Sequence, residues 1–338
     1  MTLEILGITV LWVFLFGYLI VGSIDFGAGF YSYYGRISGM ESTINPVISR
    51  YLSPVWEVTN VFLIFFIVGI VGFFPDTAYY FGTALLVPGS IALILLAVRG
   101  SFYAFANYGA RENSLYMFIY GVTGLLIPAS LSTVLTISEG GFLAVDGGRV
   151  NLLLEELFFS TYSWAVVLLA ISSVLYISST FLTYYAARAE DSQAMGLLRQ
   201  FSFWSGVPTL ISSLFTFIAL RNHNLEHFQN MLGLWWMFAL SLFFYFCAIV
   251  LIWRGKAYGT AFVCVILQFA FAFFAYGASH LPYLLYPYLT VYDGVTNPTM
   301  GRALVLAFIA GLVLLLPSLY LLLRLFLFNV KYVRGDVE

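Results

Sequence analysis

Charge is what this sequence of 338 residues has least of. Asp, Glu, Lys and Arg make up 9% of it, against 62% hydrophobic and 19% aromatic residues, and the mean hydropathy is +0.95. So little polar surface excludes an ordinary soluble domain, and a formal net charge of −2 gives nucleic acid nothing to bind. Cysteine is nearly absent too. Cys247 and Cys264 lie in separate apolar segments without a close-spaced Cys or His partner, which excludes a disulfide framework and favours buried small hydrophobes. There is no Walker loop, no dinucleotide-binding glycine fingerprint, no HEXXH zinc helix and no nucleophile elbow. The first apolar run has no basic n-region and no small-residue cleavage site, so it reads as a retained helix rather than a cleaved signal.

What the sequence has in abundance is long apolar runs. A bilayer-spanning helix needs about 20 mostly apolar residues, and about nine segments qualify: 4–24, 54–75, 79–98, 114–137, 157–187, 200–220, 231–253, 257–277 and 303–328. The fold class is therefore all-α integral membrane, one polytopic domain over 1–338. By helix count it divides into a four-helix bundle at 4–137, a second at 157–277, and a ninth helix at 303–328. Of the 14 Lys and Arg, only Arg149, Arg221 and Arg302 fall in the connections after even-numbered segments. The other eleven, Arg36, Arg50, Arg99, Arg111, Arg188, Arg199, Arg254, Lys256, Arg324, Lys331 and Arg334, fall on the opposite side. The positive-inside rule then puts the C-terminus in the cytoplasm and the N-terminus outside.

The polar residues attached to these runs are the candidate site. Asp25 and Glu57 adjoin apolar segments, where a charge costs at least about 2.5–3.5 kcal/mol at the membrane midplane. Gly22, Asp25 and Gly29 share a helical face, so another backbone can approach beside the acid. With segment two starting at Pro54, Ser53 reads as its N-cap and Glu57 falls in its first turn, where the helix dipole favours an anion. Trp56 and Asn60 extend that polar face. Arg99 closes segment three at the same cytoplasmic level, either to bias the acid pair or to snorkel to lipid phosphates. Carboxylates at membrane depth can relay protons where water or a neighbouring cation permits exchange.

The outer connections carry less. Glu139, Gly140, Gly141, Asp146, Gly147, Gly148, Glu155 and Glu156 lack EF-hand spacing and read as a solvated turn. His223 and His227, four apart, have metal-ligand spacing but no third obvious ligand nearby, which favours a structural role. His280 sits near Tyr283, Tyr286, Tyr288 and Tyr292, residues expected at a membrane boundary. No histidine lies within a segment, so axial haem ligation inside this chain is not expected.

Asp25-Phe26-Gly27-Ala28-Gly29, Pro54-Val55-Trp56-Glu57, Val61 with Leu63, and Arg99-Gly100 occur in an order that resembles subunit II of the cytochrome bd-type quinol oxidases across the whole chain. The resemblance is to a divergent member. The family commonly has Asp at Glu57, Asn at Thr59, Gln or Glu at Asn60, and Trp at Phe62. Many members also carry an acid and a second Arg where Ala104 and Ala106 stand. The resemblance implies a haem-free subunit in the prokaryotic plasma membrane, with no catalytic residue, cofactor or metal site of its own. Haems b and d and quinol oxidation would belong to a partner subunit I, and a small single-helix accessory subunit could join them. Asp25 and Glu57 would lie on a cytoplasmic proton path to the oxygen-reducing haem, supported by Trp56, Asn60 and Arg99. A proton-coupled secondary transporter, or an anchoring subunit without a proton role, are the rival readings.

Overall fold

The computed structural model describes residues 2–105, 113–146, 149–293 and 297–326, the side chains of 51–58 excepted. Helices α1 (Leu3–Ile37), α2 (Glu41–Phe73), α3 (Pro75–Ala84), α4 (Leu86–Phe105) and α5 (Ser114–Ser138) come first. A hairpin of β1 (Leu143–Asp146) and β2 (Arg149–Leu152) and the short α6 (Leu154–Phe159) lead to α7 (Thr161–Arg188) and α8 (Ser192–His223). Then follow α9 (Leu225–Gly233), α10 (Trp235–Arg254), α11 (Tyr258–His280), a second hairpin of β3 (Tyr283–Leu285) and β4 (Leu289–Thr290), and α12 (Pro298–Phe326). Both hairpins are antiparallel, Leu143 opposite Leu152 in the first and Tyr283 opposite Thr290 in the second.

Among the described residues, α1, α4, α5, α7, α8, α10, α11 and α12 are each long and apolar enough to cross a membrane, and α2 adds a shorter apolar stretch, Thr59–Phe73. The all-helical membrane class expected from composition therefore stands.

Several expected boundaries do not. Segment one was expected to end at 24, because Asp25 interrupts the apolar run, yet α1 continues to Ile37. A charge ends a hydropathy run but not a helix when the fold supplies it with a partner. At 1.5 Å per residue α1 is about 52 Å long, well beyond the ~30 Å of a bilayer core. Nor does α2 begin at Pro54. It starts at Glu41, so Ser53 is no N-cap and Glu57 lies mid-helix, out of reach of the terminal dipole expected to favour it. Segment three is two helices. Pro88 has no N–H to offer the carbonyl of Ala84, and the chain breaks at Leu85. The crossing helix is thereby displaced to 86–105, which carries Arg99 well inside it.

Helix α1 is the hub, packed against α2, α5 and α7; α4 packs on α5, α7 on α8 and α11, α10 on α11, and α12 on α2 and α1. The α1–α2 pair is antiparallel, with Phe73 over Gly7, Phe62 over Gly17, Thr59 beside Gly22 and Ile44 beside Gly35. A Cβ at Gly27 would strike Ser178 on α7, and one at Gly124 would strike the carbonyl of Phe26. Small residues here let three backbones converge, as membrane helix packing requires in the absence of a hydrophobic driving force. Between α7 and α8 runs a ladder of hydroxyls: Ser172 to Ser212 at 2.8 Å, Ser179 to Ser205 at 3.1 Å and Thr183 to Ser202 at 3.2 Å. Ser178 donates to the carbonyl of Ile24 at 2.9 Å, which ties α7 to α1 one residue before Asp25.

Candidate functional site

Arg99, on α4, is 2% exposed, and its environment is built to hold a buried cation. Its Nε donates to Asp25 Oδ2 at 3.2 Å and its Nη2 to Asp25 Oδ1 at 3.0 Å, a bidentate fork onto a carboxylate that is itself 6% exposed. Nη2 also donates to the main-chain carbonyl of Asp25 at 2.6 Å, and Nη1 to the carbonyl of Tyr120 at 2.9 Å. The guanidinium lies over the Tyr120 ring, 4.2 Å from its centroid, with Phe26 at 5.4 Å. Two opposite charges, multiply hydrogen-bonded and roofed by aromatic faces, are the condition under which a buried ion pair can offset its desolvation cost. The snorkelling alternative is thereby excluded, and Asp25 and Arg99 are brought together as expected.

Each partner is placed by its local sequence. Gly29, one turn after Asp25 on α1, leaves the space the guanidinium fills: a Cβ there would stand 2.7 Å from Nη1 and 2.9 Å from Nη2. At Gly29 the expected glycine face makes room for both: the same Cβ would stand 2.9 Å from the main-chain carbonyl of Tyr120 on α5. Tyr103, one turn after Arg99 on α4, donates its hydroxyl to Asp25 Oδ1 and lies 3.1 Å from the hydroxyl of Tyr120. Sequence reasoning missed Tyr103, although its i+4 spacing from Arg99 on a helix was a usable signal. Tyr120 had none, since its role runs largely through its main-chain carbonyl and its ring.

Asn60 is partly buried on α2. The side chains of Trp56 and Glu57 lie outside the described residues. Their backbone can be placed by register, since Thr59 beside Gly22 in an antiparallel pair puts positions 55–57 level with Asp25.

A second buried polar cluster forms where α5, α9 and α11 end or begin, and it corrects two expectations. Glu139 is not in a solvated turn. Its side chain is fully buried, 2.8 Å from His227 Nδ1 through Oε1 and 2.9 Å through Oε2. Asn224 Nδ2 donates to Oε2 at 3.1 Å, and the Tyr276 hydroxyl donates to Oε1. Gly140 and Gly141, at φ +82° and +79°, turn the chain away immediately after the acid, a conformation glycine adopts without penalty. His280 is not merely interfacial either, since its Nδ1 lies 3.6 Å from Glu139 Oε1. Burial alone would raise the Glu139 pKa; the His227 hydrogen bond, with charge on His280 and His227 and the Tyr276 bond, outweighs it and lowers the value.

His227 is delivered by Asn224, whose side chain caps α9 by accepting from the His227 N–H at 3.1 Å. His223 does not join its i+4 neighbour. It stacks between Phe142 and Tyr162, with ring centroids 4.9 and 5.0 Å away, and its Nε2 lies 3.0 Å from the carbonyl of Gly140.

A polytopic helical membrane protein with a buried Asp–Arg pair between its first and fourth helices is the class this geometry defines. Residues 3–326 match the model of the cytochrome bd terminal oxidase subunit II family. The putative cytochrome bd menaquinol oxidase subunit II of Bacillus subtilis (strain 168) is 34% identical over 98% of each chain. The structure of bd oxidase from Geobacillus thermodenitrificans contains a chain 59% identical to this one, covering 97% of this chain and 100% of that one, with a TM-score of 0.85. The chain belongs to the cytochrome bd terminal oxidase subunit II family. It is accordingly a multi-pass plasma-membrane subunit of a bd-type quinol oxidase, a complex with haem cofactors and a subunit I partner.

Proposed function

We propose that this chain is the haem-free subunit of the oxidase and carries a proton-uptake route from the cytoplasmic side. Haems b and d, quinol oxidation and reduction of oxygen to water belong to the subunit I partner. The observation that carries the reading is the Asp25–Arg99 pair itself: two charges, nearly inaccessible to solvent, at the level where α2 brings residues 55–57 alongside α1. Membrane-buried ionisable groups are expensive and mark ion or proton pathways.

The two acids divide the work. Asp25, gripped by the Arg99 fork and by Tyr103, anchors the cluster. Glu57, which the helix register brings to the same level, is the group that exchanges protons in this reading, with Trp56 and Asn60 completing the polar face. The orientation follows from the Lys and Arg distribution, N-terminus outside and C-terminus cytoplasmic. The Bacillus relative's menaquinol makes menaquinol the substrate to try first, and the apolar outer faces leave room for a single-helix accessory subunit.

Glu57→Gln in the intact complex tests this. The expected result is slowed oxygen consumption and proton uptake with the haem absorption spectrum and subunit ratio unchanged. Normal turnover in that variant would remove the proton role and leave this chain as an anchoring subunit. Asp25→Asn should instead lower the yield of assembled complex, because it removes the charge that Arg99 requires.

A further inference from the structure

We propose that Glu139, His227 and His280 form a binding site for one divalent cation of the Zn²⁺ class, completed by a water molecule, where α5, α9 and α11 meet. The three residues come from distant parts of the chain, and one ligand atom from each lies within 4.8 Å of the others. Two imidazoles and a carboxylate are a donor set suited to Zn²⁺, which takes such ligands at about 2.0–2.2 Å. Modest adjustment of these side chains would bring the atoms to that distance from a common centre.

Proton placement is what points to a cation. The Ser279 hydroxyl donates to the carbonyl of Tyr276 at 2.8 Å, so its oxygen presents lone pairs to His227 Nε2, also at 2.8 Å. Ser279 is thereby placed to accept a hydrogen from Nε2. In the neutral tautomer with the hydrogen on Nε2, the lone pair is on Nδ1, which faces both oxygens of the Glu139 carboxylate. His280 repeats the problem. Its Nδ1 approaches the same carboxylate but at 3.6 Å makes no hydrogen bond, and its buried Nε2 has no partner among the described residues. In that tautomer two imidazoles and a carboxylate turn ligand atoms toward one point, a set that a divalent cation can bridge in place of a ring proton.

The surroundings resemble the outer layer of a metal site. Ser279 lies 2.8 Å from the far nitrogen of His227, where an acceptor orients a ligating histidine. Asn224 and Tyr276 hold the carboxylate. A pocket of about 10 Å³, room for a single water, is lined by His227, Ser279, His280 and Tyr283 among others and can supply the remaining ligand. An ion here would clamp the ends of three helices together and stabilise the folded subunit by mass action. This inference stands apart from the proton route, because none of its residues lies near Asp25 in the fold.

The probe is Zn²⁺ itself, added to the intact oxidase complex after purification without a polyhistidine tag, chelator treatment and dialysis. Bound zinc is counted by mass spectrometry after gel filtration, and haem absorbance per unit protein reports assembly of each variant. One equivalent of Zn²⁺ per complex is expected, together with a higher thermal midpoint. Both should be lost in His280→Gln, and zinc affinity should fall about 10–100-fold in Ser279→Ala. Wild-type complex that retains no zinc above buffer, or an equivalent that survives in His280→Gln, would overturn the site. If His280→Gln fails to assemble, the wild-type count and Ser279→Ala decide: an equivalent whose affinity is unaltered by Ser279→Ala overturns the site just as its absence does.

Discussion

Two buried acids in this subunit have solved the same problem with different cations. Asp25 faces Arg99, a guanidinium that is always charged and whose planar fork matches both carboxylate oxygens. Glu139 faces imidazoles, which carry charge only when protonated or can give it up to bind an ion. The first arrangement is fixed; the second can change state. A permanent ion pair suits a scaffold that must hold α1, α4 and α5 in register, while a conditional one suits a junction that responds to what it binds.

Four substitutions would break or sharpen that contrast. The largest effect is expected from Arg99→Met, which strands Asp25 without its cation. Loss of about 3–5 kcal/mol should appear as a collapse in the yield of haem-containing complex, and adding Asp25→Asn should recover much of it. His227→Leu should cost less, about 2–3 kcal/mol, because Tyr276 and Asn224 still donate to Glu139. Thermal unfolding of the purified complex would rank the two. Gly29→Ala pushes a methyl into the guanidinium and should cost about 1–3 kcal/mol by the same measurement, provided α1 cannot shift. Least of the four, Ser172→Ala deletes one neutral rung between α7 and α8. A loss of about 0.6 kcal/mol is expected, the average for a hydrogen bond between membrane helices. A Ser172→Ala cost equal to that of Arg99→Met would show that charge does not set the scale here.

The same two clusters explain what could be read from the sequence and what could not. Arg99 and Asp25 were legible because each interrupts an apolar run, and a charge in such a place demands a partner. Glu139 gave no such signal. It follows α5 directly and precedes two glycines, surroundings that look like a wet loop, and its partners His227 and Tyr276 lie far along the chain. No local pattern reports a contact of that range. Helix identity was similarly legible where hydropathy alone decides it, as in α5, α10 and α11. The C-terminal end of α1 and the start of α2 were not, because hydropathy marks where a helix leaves apolar surroundings rather than where its backbone stops. Pro54 misled for a related reason: proline fits a first turn comfortably, yet a long helix packed on its neighbours can carry one inside.

The rungs joining α7 to α8 have a further consequence for how this subunit can move. Each hydroxyl is spaced to meet one counterpart on the facing helix, so turning or sliding either rod by a single residue would unmake all of them at once in surroundings without water to compensate. Greasy contacts between rods tolerate gradual slippage; a toothed seam does not. Any rearrangement during turnover should therefore carry α7 and α8 as one piece, with the give falling on helices that lack such teeth.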